Sequence, residues 1–266
     1  MIFRKHRPLG YGFLKVCFFN MQLLIFFYLT ITCFFLALFF LLARQFTAEK
    51  YCSKAGCAFC ALTLATLLIA KGNLPIFKDF ESLIFITCIL GTLVLFCSPR
   101  HGSGTSVRFW GYGFILGLLL LSLCYPKGPS PDGYIQHYIW SIFFLCFRQV
   151  ALAAMLFSSC FFIQYRKDQR LEIKNPISSH PGRNYMLISA VCFLISEYAG
   201  MIWCQKGWGD FWQWSNGFFQ STLVLLYLMT AFHIPGRNGN FDRARSLIGS
   251  LSGIFFLTMT MLRSLI

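Results

Sequence analysis

Long apolar segments recur along this chain of 266 residues, and they limit its fold more than any other feature. About 20 apolar residues are needed to cross roughly 30 Å of hydrocarbon as a helix. A backbone in lipid must satisfy its own hydrogen bonds, so each crossing is expected to be helical. Hydrophobic residues make up 57% of the chain and charged residues only 12%, which argues against a water-soluble domain. The pattern predicts an all-α, polytopic membrane helix bundle.

Eight segments have the composition of membrane spans, and the second and third are the shortest. They are residues 21–43, 55–70, 82–97, 109–125, 136–165, 185–203, 216–234 and 246–262. The first apolar run is longer than the roughly 7–15 residues of a signal peptide, so we interpret it as a retained span. The sequence therefore predicts a basic N-terminal segment, residues 1–20, followed by one transmembrane domain, residues 21–266.

Lysine and arginine in the short loops indicate the orientation of the bundle, because cytoplasmic loops carry an excess of them. The loops after spans one, three, five and seven hold thirteen of these residues, whereas the loops after spans two, four and six hold four. The first set is expected to be cytoplasmic. The loop after span six then lies on the outer side.

The N-terminus disagrees with this assignment. An even number of spans places it outside together with Arg4, Lys5, Arg7 and Lys15. Two explanations remain open: residues 9–19 lie in the membrane interface, or the number of spans is wrong by one. The net charge of +14 comes mainly from residues that flank spans, so nucleic acid is not an expected partner.

Four of the six tryptophans fall within twelve residues, in the run GMIWCQKGWGDFWQW between spans six and seven. They are Trp203, Trp208, Trp212 and Trp214. Indole rings stack on other π systems, so several on one short segment could hold a flat macrocycle at the membrane boundary. The alternative is an aromatic belt, because tryptophan is enriched at membrane interfaces without any ligand. A belt does not need the glycines at positions 200, 207 and 209.

This order of residues resembles the "WWD" signature of the haem-handling membrane proteins of cytochrome c assembly, in particular the CcsA type. The matching residues are Gly200, Trp203, Trp208, Gly209, Phe211, Trp212 and Trp214. His233 falls where a membrane histidine follows the signature in that family. The segments KGNLPIFKDFESLIF (71–85) and DGYIQHYIW (132–140) resemble two further family segments, and the resemblance covers roughly residues 60–262.

The resemblance implies a function. Members of this family receive haem b, hold it at the outer face between two histidines and present it to the CxxCH cysteines of an apocytochrome c. They work with a second membrane assembly protein that carries a large external domain, in the bacterial cytoplasmic membrane. The residues expected to contact haem here are His137, His233, Trp203, Trp208, Gly209, Trp212 and Trp214, with the two histidines as the iron ligands.

The two histidines are expected at opposite ends of the bundle. His137 should lie at the outer end of span five, and a neutral imidazole is a normal axial ligand of haem iron. His233 ends span seven, about 28 Å from Trp214 by helical rise, so it cannot share the outer haem. It would belong to a second, inner haem site. The alternative for His137 is an interfacial histidine with ordinary hydrogen bonds.

Two ionisable residues are predicted inside the membrane spans. Arg148 and Glu197 are costly there, by roughly 2.5–3.5 kcal/mol each, so both should face the bundle and have partners. A pair between them is the favoured interpretation, despite a difference in depth of about 9 Å by helical rise. A contact between Arg148 and a haem propionate is the alternative, since guanidinium suits carboxylate recognition.

The chain also departs from the family pattern. The aspartate expected after the last tryptophan is Ser215, the histidine expected near position 73 is Asn73, and a second outer histidine after span eight is absent from the sequence. The iron would then be five-coordinate, would use Met259 or Met261, or would take a ligand from a partner chain. We therefore expect an assembly subunit, not an independently competent enzyme.

The sequence thus predicts a haem-binding protein of cytochrome c biogenesis. Two alternatives stay open: a regulatory relative that senses haem or controls an early enzyme of haem synthesis, and a membrane scaffold or carrier without haem. Twelve cysteines lie mostly in apolar spans, where a free thiol behaves as a small hydrophobe. The CxxC of Cys57 and Cys60 is accordingly interpreted as packing.

Overall fold

The computed structural model describes residues 9–99, 104–127, 138–171, 179–209, 216–234 and 239–265. Eight helices make up this described part of the chain, and it contains no β-strand. They are α1 (Leu9–Leu42), α2 (Phe46–Lys71), α3 (Asp79–Cys97), α4 (Gly104–Leu123), α5 (Ile139–Arg170), α6 (His180–Trp208), α7 (Asn216–His233) and α8 (Gly239–Leu265). Each corresponds to one predicted span, so the all-α, polytopic membrane fold is confirmed.

Seven of the described helices are long and apolar enough to cross a membrane, and the remaining apolar helix, Phe218–His233 within α7, is shorter. The predicted second and third spans were too short: α2 has 26 residues and α3 has 19. The apolar run of α2 is interrupted near its start by Glu49, Lys50 and Lys54. A helix can carry such residues at the membrane edge, which hydropathy alone does not reveal.

The helices alternate in direction, which defines two faces of the bundle. The tryptophan face carries the end of α6 and the start of α7, together with the turn between α2 and α3. The basic face carries the opposite helix ends. Contacts at both faces confirm the alternation: Phe27 of α1 packs on Phe80 of α3 at a centroid distance of 5.4 Å on the tryptophan face, and Tyr165 of α5 donates to Asp242 of α8 on the basic face.

Helix α5 is the core of the bundle. It packs against α3, α4, α6 and α8, and residues 151–160 are buried without interruption. A helix that is buried on all sides must be covered by neighbours, and small side chains allow them to approach closely. Three serine hydroxyls connect it to α6: Ser158 donates to Gly182 O at 2.6 Å, Ser189 to Ala151 O at 2.6 Å and Ser196 to Phe144 O at 2.7 Å.

Glycines allow α8 to pack closely against α5, on the side of α5 that α6 does not cover. A Cβ on Gly253 would lie 2.9 Å from the Cα of Leu156, and a Cβ on Gly249 would lie 2.5 Å from the ring of Phe162. Ser159 of α5 then accepts a hydrogen bond from Gly253 N at 2.9 Å. The small residues therefore set the distance between α5 and α8.

Buried ionic contacts hold the basic face together. Arg108 of α4 donates to Glu49 of α2 at 2.7 Å, and the Tyr112 hydroxyl donates to the same carboxylate. Glu49 is almost fully buried, so both donors compensate the loss of its hydration. Arg245 and Asp242 form a partly exposed pair at 2.9 Å within α8.

The N-terminal stretch belongs to the first helix. Helix α1 runs without a break from Leu9 to Leu42 and contains the apolar segment Phe19–Leu42. Phe27 contacts the start of α3, so the N-terminal part of α1 points toward the tryptophan face. Because seven of the eight described helices are long and apolar enough to cross a membrane, an odd number of spans stays open as an explanation for the basic N-terminus, beside an interfacial position of residues 9–19.

Reporter fusions test the orientation of this bundle. Because the basic loops should be cytoplasmic, an alkaline phosphatase fused after Lys127, at the tryptophan face, should be active. The same reporter fused after Leu171, at the basic face, should be inactive. A β-galactosidase reporter at the two positions provides the control and should give the reverse result. Phosphatase activity only at Leu171 would contradict the predicted orientation.

Candidate functional site

The predicted haem-contacting residues divide between described and undescribed parts of the chain. Trp203 lies in the last two turns of α6, Trp208 is the last residue of α6 and Gly209 follows it. His233 ends α7. His137, Trp212 and Trp214 lie outside the described residues, and their predicted contacts stay predictions. Of the described residues in this set, Trp203, Trp208 and Gly209 lie at the tryptophan face and His233 lies at the basic face.

Helix α6 ends at a glycine with a left-handed backbone. Gly209 has a φ of 77°, and its N–H donates to Gln205 O at 2.9 Å. Other residues are strained in this region, so a glycine at a helix end is expected. This glycine thus has a structural reason that does not involve a ligand.

Aromatic residues join α5 and α6 at the tryptophan face. Trp203 packs on Phe144 at a centroid distance of 6.2 Å and an interplanar angle of 35°. A Cβ on Gly200 would lie 2.9 Å from the ring of Phe144, so glycine is needed for this contact. One turn further along, the Nζ of Lys206 lies 5.7 Å from the ring centroid of Trp140. These residues form one surface, which we call the aromatic wall: Trp140, Phe144 and Trp203.

The aromatic wall lies further toward the tryptophan face than the turn between α2 and α3. Gln149 of α5 donates to Ile76 O in that turn at 2.9 Å and to Ser82 Oγ at 2.8 Å. Gln149 is therefore level with the turn, while α5 begins ten residues earlier, about 15 Å further toward the tryptophan face. The wall lies in this projecting part, near the tryptophan-face ends of α5 and α6.

A three-residue contact connects the helices beneath the wall. Arg148 Nη1 donates to Glu197 Oε1 at 3.0 Å and lies 3.1 Å from Ser221 Oγ, which donates to the same Glu197 oxygen at 3.0 Å. The guanidinium also faces the rings of Phe144 and Phe193 at 5.3 and 5.8 Å. The predicted pair is confirmed, and it includes α7.

The expected difference in depth between the paired residues was wrong. It assumed that span six ends at Trp203, whereas α6 continues to Trp208. Arg148 lies nine residues after the start of α5 and Glu197 lies eleven residues before the end of α6. These positions are about 14 and 17 Å from the two helix ends, so the side chains meet directly.

Sequence reasoning missed a second buried ion pair. Lys71 Nζ at the end of α2 lies 2.6 Å from Glu81 Oε1 in the first turn of α3, and both side chains are about 1% exposed. Lys71 had been counted only as a loop charge. An acidic residue ten positions after a lysine, across a turn with glycine and proline, was the signal that could have identified it. The pair joins the end of α2 to the start of α3.

His233 is separated from this face. It ends α7 at the basic face, where its exposed ring donates from Nδ1 to Met229 O at 2.8 Å. A carbonyl can only accept, so a neutral His233 would present Nε2 as its unprotonated nitrogen. Asn73 lies in the α2–α3 turn at the tryptophan face. His233 and the described tryptophans of the cluster therefore lie at opposite faces of the bundle.

The structure also describes the two methionines proposed as alternative iron ligands and most of the cysteines. Met259 and Met261 are partly buried, and Tyr125 OH donates to the Met261 sulfur at 3.9 Å, near the tryptophan-face end of α8. All described cysteines are free, and Cys60 Sγ donates to Ile84 O at 3.5 Å. No group of three His, Cys, Asp or Glu side chains suited to a metal ion occurs among the described residues.

No protein-family model, curated protein or solved structure matches this chain.

Removal of the Glu197 carboxylate should destabilise the bundle. Glu197→Ala leaves the buried Arg148 without this counter-charge, and the loss of one partner of a buried pair costs about 3 kcal/mol. Because Glu197 is 26% exposed, we expect a loss of about 2–3 kcal/mol, measured as unfolding of the detergent-solubilised protein. Ser250→Ala, whose hydroxyl bonds only to Leu247 O in its own helix, is the matched control. Equal stability of Glu197→Ala and wild type would contradict the structural role.

Proposed function

We propose that this chain is a haem-handling membrane protein of the cytochrome c assembly type, which holds haem b at the tryptophan face. The observation that supports it most is the contact between the start of α5 and the end of α6. Trp203 packs on Phe144 and Lys206 lies over Trp140. The start of α5 is therefore adjacent to the end of α6, and the segment before α5 and the segment after α6 are attached to these adjacent helix ends. These segments contain His137 and the remaining tryptophans.

The chemistry of this surface suits a planar ligand. Tryptophan and phenylalanine rings bind flat π systems in offset or edge-to-face arrangements, and an imidazole supplies an axial ligand to haem iron. In the sequence His137 directly precedes Tyr138 and lies three residues before Trp140. In this proposal His137 binds the iron, while Trp203, Trp208, Trp212 and Trp214 line one side of the macrocycle and Gly209 ends the helix below it. His233 would serve a separate site at the basic face.

The proposed role is that of an assembly subunit. In this proposal the second axial ligand of the iron is Met259, Met261 or a group of a partner. The partners in this proposal are an apocytochrome c and a second membrane protein with a large external domain. The orientation that brings them to the tryptophan face follows from the positive-inside rule. The membrane would be the bacterial cytoplasmic membrane.

An aromatic belt is the competing interpretation, and one observation favours it. Gly200 and Gly209 have structural reasons that involve only the protein, namely the Phe144 contact and the left-handed helix end. These two glycines therefore no longer argue for a ligand. The difference between the two interpretations is whether the tryptophan face binds a porphyrin at all.

An absorption spectrum decides between them. Detergent-purified protein that is loaded with haemin and then separated from unbound haemin by gel filtration should retain a Soret band, and His137→Ala should weaken haemin binding by more than about tenfold, because the iron loses an axial ligand. His180→Ala changes a histidine at the basic face and should leave the spectrum unchanged. His233→Ala should remove only haem at the inner site. A wild-type protein without a Soret band would favour the scaffold.

A deletion strain distinguishes assembly from regulation. If the protein presents haem to apocytochromes, its loss should reduce covalently bound haem in c-type cytochromes, measured by haem staining of denaturing gels. Complementation with wild-type protein should restore the stain, and complementation with His137→Ala should not. Normal haem attachment together with a changed level of an early haem-synthesis enzyme would support the regulatory alternative.

A further inference from the structure

One cation at the tryptophan face is held in place by an aromatic ring. Lys206 lies in the last turn of α6, with its Nζ 5.7 Å from the ring centroid of Trp140 in the first turn of α5. A cation over an indole face is attracted by the ring quadrupole, which restricts the otherwise flexible lysine. The ammonium is thereby positioned beside the aromatic wall.

Lys206 differs from Lys71 and Arg148 in having no carboxylate partner among the described residues. Lys71 and Arg148 are each paired with a carboxylate, Glu81 and Glu197 respectively. No ion pair among the described residues includes Lys206, and its side chain is exposed. A preoriented, exposed ammonium next to stacking rings can bind an anionic substituent of an aromatic ligand through a charge-assisted hydrogen bond.

We infer that Lys206 binds a carboxylate of the macrocyclic ligand at the tryptophan face and so selects porphyrins with free carboxylates. This inference rests on the proposed function. Haem b has an apolar ring with two propionates on one edge, which matches a wall of aromatic rings with a cation beside it. Lys206 is two residues before Trp208, and Trp140 is three residues after His137. The contact of Lys206 with Trp140 thus connects the part of the chain that contains Trp208 with the part that contains His137, and the proposal assigns both parts to the ligand site.

A comparison of two probes tests this role. Haemin and haemin dimethyl ester share the iron and the macrocycle but differ in the charge of their side chains. Wild-type protein in neutral detergent should bind haemin more tightly than the ester. Lys206→Gln should weaken haemin binding by about fivefold, as expected for a partly exposed charge contact, and should leave ester binding unchanged. Both affinities are measured by Soret titration.

Two variants serve as controls. Lys206→Arg keeps the positive charge and should retain the preference for haemin. Lys127→Gln removes another lysine of the tryptophan face that lies over a ring, with its Nζ 5.9 Å from the Phe27 centroid. Lys127 contacts α1 instead of the aromatic wall, so its removal should change neither affinity. Fraying of the α6 end in Lys206→Gln would weaken both probes equally, because it does not depend on ligand charge.

Three results would overturn the inference. Equal weakening of haemin and ester in Lys206→Gln would show a purely structural role. An unchanged preference for haemin in Lys206→Gln would show that another group binds the carboxylates. Binding of neither probe by the wild-type protein would refute the proposed function itself, and the inference with it. The first two results would refute only the role of Lys206, whereas the third would refute haem binding. Failure of the inference can therefore be distinguished from failure of the proposed function.

Discussion

Compensation of buried charge is the constraint on which this bundle depends. Lipid offers no hydrogen bonds, so a charged side chain within a membrane bundle needs a partner from another helix. Arg148 meets this need with Glu197 and Ser221, and the one contact unites α5, α6 and α7. Lys71 and Glu81 do the same at the α2–α3 turn. The polar contacts therefore determine which helices are neighbours at the tryptophan face, while apolar packing fills the space between them.

These contacts also position the candidate site. Gln149 ties the α2–α3 turn to α5 at the level of Arg148. Above that level only the projecting parts of α5 and α6 carry the aromatic wall, with Trp203 on Phe144 and Lys206 over Trp140. A charge-paired layer beneath the partly buried aromatic wall is a suitable base for ligand binding, because supporting contacts hold the binding side chains in place. The proposed haem site and the role inferred for Lys206 both use this arrangement.

Much of the fold could be predicted, but little of the site could. Apolar runs identified all eight described helices, seven of which reach the length that hydrocarbon thickness requires, and the pairing of Arg148 with Glu197 followed from the cost of isolated charge. Helix ends were less predictable, since α6 continues past Trp203 and α2 begins before its apolar run. The contact of Lys71 with Glu81 depends on the turn between them, and the contact of Lys206 with Trp140 depends on how α5 and α6 pack. Neither distance follows from composition.

By itself, the sequence determined that this chain is a multi-pass helical membrane protein with a concentrated tryptophan segment between two spans. Length and hydropathy suffice for that, because the bilayer imposes them on each helix separately. Only the tertiary structure decided that α5 is the buried centre, that Arg148 meets both Glu197 and Ser221, and that Trp203 and Trp140 share one wall. Those facts depend on the relative depth and rotation of different helices, which arise from packing and buried charge pairing among all of them at once.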